Sequence, residues 1–222
     1  MLEDRILFVD ADAIVIDKPA GLPVDTPRNG GDSIERRLDE LKLGFKRPPV
    51  AMHRLDQDTS GCLLLARNGR AVRVFQHAIE AGKMEKVYIA ALDGVPEGTE
   101  GVIELPLAKF STAQSGWRMV EDPAGKHAVT RWRLIGEKDG QSLVEFRPET
   151  GRTHQIRVHA ARGLRAPVIG DPIYAEAGDD PDQMMLLHSL SLSVPRNDKP
   201  PVSARARLPD HFGLWLDFID EP

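Results

Sequence analysis

The sequence predicts an α/β (α+β) fold in which a strand-rich body carries a few helices. Between residues 86 and 147, short runs rich in β-branched and aromatic residues alternate with Gly, Asp and Pro, which is typical of consecutive strands. Apolar residues at helical spacing occur in three separate stretches, so helices are few. Since no repeat or low-complexity linker divides the 222 residues, we expect a single domain over 1–222.

The first part of the chain contains a strand, a shaped loop and a helix, in that order. Ile14 and Ile16 alternate as in a strand, and the two prolines and one glycine within residues 18–23 then predict a loop. Ser33 precedes apolar residues at helical spacing, which predicts a capped helix that continues up to Gly44.

A buried strand, a helix and several shorter strands follow. Residues 61–66 predict a buried strand in which Cys62 is a small core residue, and residues 70–82 predict a helix. Four strand-like runs come next, VYIAAL, GVIEL, AVTRWRL and SLVEFR. Thr153 is expected to cap a helix that ends with Gly163 in the left-handed conformation. Two late strands are predicted, at 186–194 and 203–208.

Composition excludes several classes of protein. An apolar fraction of 41% excludes wholesale disorder, and a single cysteine excludes an internal disulfide. The apolar stretches are too short to cross a bilayer, and the N-terminal residues MLEDRILFVD lack the basic head and apolar body of a signal peptide. We therefore expect a soluble, cytoplasmic protein with no membrane association.

The net charge of −5 hides an uneven distribution along the chain. Residues 41–170 carry 20 basic and 14 acidic side chains, whereas both ends of the chain are acidic. The acidic stretch 176–182 is expected to be a surface loop. Because the middle of the chain is basic, the overall charge does not exclude an anionic substrate such as RNA.

The first reactive cluster is HRLDQDTSG at residues 53–61. A carboxylate beside a guanidinium stays ionised, which suits Asp56 as a nucleophile or an electrostatic stabiliser. The alternative is structural: Arg54 and Asp56 close a turn, and the hydroxyls of Thr59 and Ser60 bind the backbone. Spacing alone favours that structural interpretation.

The second cluster is rich in arginine and lies at residues 147–165. Five arginines against one acid exceed what an ordinary solvated helix face needs, although such a face remains the alternative. If Thr153 caps a helix, His154 and Gln155 lie in its first turn, where backbone N–H groups attract anions. His154 and His159 are five residues apart, so they do not share a helix face well, and since Cys62 is also isolated, a zinc site is not expected. Tyr88 lies in a predicted strand, where a half-buried aromatic role is the commoner one.

The chain resembles the RluA-type RNA pseudouridine synthases. HRLDQDTSG resembles the signature of that family, and RPETGRTHQIRVH at 147–159 resembles its arginine helix. Further family landmarks follow in the family order between about residues 5 and 215. They are KPAGLPV at 18–24, KVYIA at 86–90, GKHAVTRW at 125–132, GDPIY at 170–174 and LLH at 186–188.

This resemblance implies the pseudouridine synthase catalytic fold, with a mixed, largely antiparallel sheet, flanking helices and an active-site cleft. It implies a cofactor-free isomerase, without a metal, that converts uridine in RNA to pseudouridine. Asp56 matches the catalytic aspartate, which attacks either the sugar C1′ or the uracil ring. Arg157 matches the arginine that pairs with it, so we expect the two within about 6 Å of each other. Tyr88 matches the tyrosine that packs on the target base and helps to remove the C5 proton.

Other positions are expected to bind the RNA. The target uridine must flip out of the helix, because a stacked uridine hides its glycosidic bond. Arg54 matches the family residue that fills the space left by the flipped-out nucleotide. A further set of polar and basic side chains is expected to bind the RNA. These residues are Arg152, His154, Gln155 and Arg162.

The expected partner is a structured stem-loop of tRNA, of large-subunit rRNA or of both. Many relatives carry an additional N-terminal S4-type RNA-binding domain, whereas for this chain the resemblance implies a catalytic core that is expected to begin almost at Met1. We expect a monomer without a protein partner. Two alternatives from other classes are a non-catalytic RNA-binding or RNA-chaperone module on the same fold, and an Asp/His hydrolase built on His53 and Asp56.

Overall fold

The computed structural model describes residues 1–112, 116–175, 183–197 and 199–219, which form two compact units. The first unit contains Met1–Lys86 and His188–Leu208, and the second contains Val87–Leu187 and 209–219. The expected acidic loop at 176–182 lies outside the described residues. That 1–222 acts as one catalytic domain stays a prediction.

The described residues form twelve strands and three α-helices, in the following order along the chain. They are β1 (Ile6–Val9), β2 (Ala13–Lys18), α1 (Ile34–Arg37), β3 (Val50–Ala51), β4 (Ser60–Ala66), α2 (Gly69–Glu80), β5 (Glu85–Leu92), β6 (Glu100–Glu104), β7 (Leu107–Thr112), β8 (Gly116–Glu121), β9 (Val129–Lys138), β10 (Gln141–Pro148), α3 (Gln155–Val158), β11 (Leu187–Val194) and β12 (Val202–Arg205).

The first unit is built around β4, which is buried at every position. β4 lies between β2, which is antiparallel to it, and β11, which is parallel to it. β1 extends this sheet beyond β2, β3 pairs with β4, and β12 pairs with β11. The apolar face of α2 packs Phe75 and Ala71 against Val15 and Leu64 of the sheet. Burial of these side chains is the main term that stabilises the unit.

The predicted helix after Ser33 is correct at its start and too long at its end. The hydroxyl of Ser33 accepts a hydrogen bond of 3.2 Å from the Arg36 N–H, as an N-cap residue does. The α-helical turn then gives way to a 3-10 helix over Leu38–Leu41. The helix predicted to end at Gly82 is confirmed as α2, and Gly82 has a positive φ of 67°.

The second unit is an antiparallel sheet in the order β5, β10, β9, β6, together with a separate β7–β8 hairpin. Leu107 at the base of the hairpin packs with Ala128 and with Val158 of α3. The four strand-like runs of the sequence correspond to the sheet strands, so that prediction is confirmed. The hairpin itself was not predicted, and neither was β1.

The helix predicted to start at Thr153 differs from the observed one. His154, not Thr153, is the N-cap residue, and its φ of 52° places it in the left-handed region without a side-chain cap. α3 continues as a turn of π-helix over His159–Gly163. Gly163 does not have a positive φ; instead, Arg165 does, at 54°. Glycine is needed at 163 because a Cβ there would lie 2.7 Å from Cγ2 of Ile103.

The strand pairings named above are antiparallel except for β4 with β11, which confirms the predicted mixed, largely antiparallel arrangement. Among the described residues, no helix is long and apolar enough to cross a membrane.

Candidate active site

The loop that carries Asp56 is fastened to the first unit by a buried lysine. Lys18, at the end of β2, has no exposed surface, and its Nζ donates hydrogen bonds to the carbonyl oxygens of Pro19, Leu22 and Gln57 at 2.7–2.9 Å. Burial lowers the pKa of Lys18 to about 8, while the carboxylates of Asp58, Asp56 and Asp17 act in the opposite direction. Lys18 therefore joins the loop after β2 to the loop that precedes β4, close to the half-buried Asp56.

Most other residues of HRLDQDTSG have structural roles. His53 Nε2 accepts a hydrogen bond of 3.0 Å from the Leu64 N–H, and burial with the neighbouring Lys86 charge lowers the His53 pKa to about 3. Leu55 is buried, and the Ser60 hydroxyl is 2.8 Å from Nδ1 of His188. These contacts give His53, Leu55 and Ser60 structural roles, although the Ser60 hydroxyl contacts a histidine side chain, whereas the structural interpretation expected it to bind the backbone.

Gly61 ends the motif because the backbone of β11 comes very close to it. Its φ is +103°, and a Cβ there would lie 2.2 Å from the carbonyl oxygen of Ser189. Ser189 is the residue that pairs with Gly61 in the parallel register of β4 and β11. Only glycine combines this backbone angle with so close an approach.

Arg54, by contrast, points away from the protein core. Its guanidinium forms an ion pair of 2.5 Å with Asp25, and both side chains are more than half exposed. An exposed pair of this kind contributes less than about 1 kcal/mol to stability. Arg54 can therefore leave Asp25 at little cost when a ligand arrives.

In the second unit, Arg157 is held by the carboxylate of Asp171. Nε and Nη2 of Arg157 each donate a hydrogen bond of 2.6 Å to Asp171, and both side chains are almost completely buried. Oδ1 of Asp171 also accepts the N–H groups of Ile173 and Tyr174, at 2.9 and 3.1 Å. The two-point pair fixes the plane of the guanidinium.

A chain of aromatic rings extends from Arg157 to the hairpin. The guanidinium carbon of Arg157 lies 5.1 Å from the ring centroid of Tyr174, whose hydroxyl is 2.9 Å from Nδ1 of His154. His154 in turn stacks on Trp117 of β8, with 5.0 Å between ring centroids and 29° between ring planes. The Tyr174 hydroxyl also accepts the Met119 N–H at 2.9 Å, which ties β8 to the same cluster.

The remaining predicted RNA-binding residues differ in exposure. Gln155 is buried, and its side-chain amide bonds Thr150, the Arg152 N–H, the Val129 carbonyl and Thr130. Gln155 therefore has a structural role, and an RNA contact for it stays a prediction. Arg152 and Arg162 are exposed, and Nε of Arg152 donates to the carbonyl oxygen of His127.

The three predicted catalytic residues belong to different units. Asp56 lies in the first unit, whereas Tyr88, in β5 opposite Phe146, and Arg157 lie in the second. The expected Asp56–Arg157 pair stays a prediction. Sequence reasoning missed Lys18 and Asp171, although Lys18 directly precedes a proline-rich loop and Asp171 lies in the GDPIY motif.

No three His, Cys, Asp or Glu side chains are grouped as metal ligands in the part of the chain that the structure describes.

Comparison with known proteins identifies the family. Residues 12–162 match the family model described as RNA pseudouridylate synthase. An uncharacterised RNA pseudouridine synthase of Zymomonas mobilis is 53% identical over 212 residues, which cover 96% of this chain and 97% of that protein. The ribosomal large subunit pseudouridine synthase D of the same organism is 34% identical over 185 residues, covering 78% of this chain and 56% of that protein.

A solved structure, human RNA pseudouridylate synthase domain containing 4, superimposes with a TM-score of 0.79 at 26% identity, covering 98% of this chain and 92% of that one. The observed fold is thus the fold of this family. The chain belongs to the RNA pseudouridine synthase family, the isomerases that convert uridine in RNA to pseudouridine.

Proposed function

We propose that this protein isomerises specific uridines in tRNA, in large-subunit rRNA or in both, with Asp56 as the nucleophile. The observation that carries the proposal is the fixed loop of the family signature. Lys18 and Gly61 hold its two sides, while the Asp56 carboxylate lies near the Lys18 cation. A carboxylate that is held on a rigid loop is suited to nucleophilic attack.

The reaction needs no co-reactant, because uridine and pseudouridine have the same composition. The Asp56 carboxylate attacks the sugar C1′ or the uracil ring, and the bond between N1 and C1′ breaks. The base rotates, a bond forms between C5 and C1′, and the covalent bond to Asp56 breaks, which regenerates the free carboxylate. The proton on C5 is then lost while N1 gains one. The target nucleotide must leave the helical stack first, because the stack hides the glycosidic bond.

Tyr88 and Arg157 are proposed to complete the site. The guanidinium of Arg157 is proposed to pair with the Asp56 carboxylate, and Asp171 fixes the orientation of that guanidinium. Tyr88 packs on the target base and takes part in removal of the C5 proton. Arg54, which is held only by an exposed ion pair, takes the place of the flipped-out nucleotide.

The RNA backbone is proposed to lie along Arg152, His154, Gln155 and Arg162, of which Arg152 and Arg162 are the exposed members. The name of the ribosomal large subunit relative supports an rRNA substrate for this chain as well.

The protein is proposed to act as a monomer in the cytoplasm, and size-exclusion chromatography tests the oligomeric state.

The test compares Asp56→Asn with Asp58→Asn, a matched change two residues away. Total RNA from cells that lack the protein is incubated with each variant, and pseudouridine is mapped. We expect Asp58→Asn to retain activity and Asp56→Asn to fold, bind RNA and form no pseudouridine. Full activity of Asp56→Asn rules out its role as nucleophile. RNA folding activity without isomerisation by the unmodified protein supports the alternative of a non-catalytic RNA-binding module.

A further inference from the structure

The β7–β8 hairpin presents the two most exposed phenylalanine or tryptophan rings among the described residues. Trp117 is 46% exposed and Phe110 is 44% exposed, whereas the other two tryptophans, Trp132 and Trp215, are buried. The base of the hairpin is anchored by the buried Leu107 and by the Met119 N–H bond to Tyr174. The exposed rings are therefore held on a fixed support.

The two rings lie on opposite faces of the hairpin. Phe110 pairs with Arg118, and Trp117 pairs with Ser111, the residue next to Phe110. Since successive side chains of a strand alternate between faces, Trp117 and Phe110 point in opposite directions. The Trp117 face contacts His154, and through His154 and Tyr174 it is connected to Arg157.

A cation accompanies the Trp117 ring. Nζ of Lys109 lies 5.3 Å from the ring centroid. Within the described part of the chain, Lys109 has no carboxylate partner, whereas the sheet arginines Arg131 and Arg147 are paired with glutamates. A flexible lysine in this position can move from the ring to a phosphate when a base occupies the ring.

We propose that Trp117, backed by His154, is a stacking platform for an unpaired base of the substrate RNA, and that Lys109 binds the adjoining phosphate. Every nucleobase has an aromatic face, and only an unpaired base can offer it to a side chain. Because the platform is connected to Arg157, the stacked base belongs to a nucleotide that flanks the target uridine. The location of that nucleotide rests on the proposed function of Arg157.

The test measures binding of a single-stranded oligouridylate and of a fully paired RNA duplex of the same length to the full chain. Trp117→Ala is expected to weaken binding of the single strand at least about fivefold, while Trp117→Phe, which keeps a ring, changes it about twofold or less. Phe110→Ala is the matched control, since it removes an equally exposed ring from the opposite face, and it is expected to change binding about twofold or less. Duplex binding is expected to stay the same in all variants.

Two further measurements do not depend on the alanine variant being folded. Oligouridylate is expected to quench the tryptophan fluorescence of the unmodified protein and to protect it from acrylamide, whereas the duplex is not. Lys109→Ala is expected to reduce the slope of log Kd against log salt concentration by about 0.7.

The proposal is overturned if the single strand leaves tryptophan fluorescence unchanged, if Trp117→Phe binds as weakly as Trp117→Ala, or if Phe110→Ala loses as much affinity as Trp117→Ala. Because these experiments measure binding and not turnover, their result is independent of the Asp56→Asn test. Activity in Asp56→Asn contradicts the proposed function and leaves the stacking platform standing.

Discussion

Asp171 is the residue on which the geometry of Arg157 depends most directly. A buried guanidinium without a carboxylate would be strongly disfavoured, and Asp171 supplies both a charge and two acceptor oxygens. The same carboxylate closes the turn at Ile173 and Tyr174. Asp171 is thus a positioning residue for Arg157.

Asp171→Asn is expected to lower the free energy of unfolding by about 3–5 kcal/mol, because it leaves a buried charge without its partner. Glu149→Gln is the matched control: it breaks the exposed pair with Arg131 and is expected to cost less than about 1 kcal/mol. Urea unfolding of both variants measures the difference. Equal losses for the two variants would show that burial of the Arg157 pair is unimportant.

Lys18 gives the stability of the protein a defined dependence on pH. Its pKa of about 8 in the folded protein lies below the ordinary value of 10.5, so unfolding takes up a proton between these two pH values. The free energy of unfolding of the unmodified protein, minus that of Lys18→Met, is therefore expected to rise between pH 8 and about pH 10.5, by at most about 1.4 kcal/mol per pH unit. Below pH 8 this difference is expected to stay at its lower value. Unfolding of both proteins across this range provides the measurement. A difference that stays constant with pH contradicts the lowered pKa.

At the scale of elements, the contact between β4 and β11 fixes the end of the signature loop. Gly61→Ala introduces a Cβ that meets the Ser189 carbonyl oxygen, and it also strains a backbone with positive φ. Gly82→Ala also places an alanine at a positive φ, +67°, which lies in the left-handed region, but its Cβ meets no atom within 4 Å. We expect Gly82→Ala to cost about 1–2 kcal/mol. Gly61→Ala is expected to cost a further 1–3 kcal/mol or so, because the close contact overpacks the site. Thermal unfolding compares the two, and an equal loss would mean that β11 can move away freely.

The elements that the sequence predicts well are those with long, regular apolar patterns. β4 buries a continuous apolar run, and α2 buries one apolar face at helical spacing. These two sequences are therefore compatible with few other secondary structures. β7 and β8 were missed because their outer halves expose Phe110 and Trp117 and bury little, which weakens the alternation of a strand. The start of α3 was misplaced because contacts with Tyr174 and Trp117 hold His154 in a left-handed conformation, and such tertiary contacts override the capping preference of Thr153.

The candidate site shows the same division. Family motifs predicted Asp56, Tyr88 and Arg157 from the order of short sequences along the chain. Lys18 and Asp171 could not be assigned a role in this way, since their importance follows from burial and from partners distant in sequence, Gln57 for Lys18 and Arg157 for Asp171. The role of a charged residue can be assigned only when its burial and its hydrogen-bond partners are known.

For the whole molecule, the net charge of −5 is a poor guide to the partner. The basic residues of the middle of the chain include the exposed Arg54, Arg152 and Arg162, as well as Lys109 of the hairpin. RNA binding is therefore expected to weaken steeply as salt is raised, although the protein is acidic overall. Filter binding of total tRNA and rRNA at increasing salt measures this, and affinity that does not depend on salt contradicts an electrostatic contact with phosphates.

The most direct test of the central claim is a transcriptome-wide map of pseudouridine in cells that lack this protein. The map is repeated after the cells receive the unmodified protein or Asp56→Asn at equal abundance. We predict that at least one uridine of tRNA or large-subunit rRNA loses its modification, regains it with the unmodified protein and does not regain it with Asp56→Asn. A map that is unchanged by removal of the protein, or that Asp56→Asn restores in full, would contradict the claim.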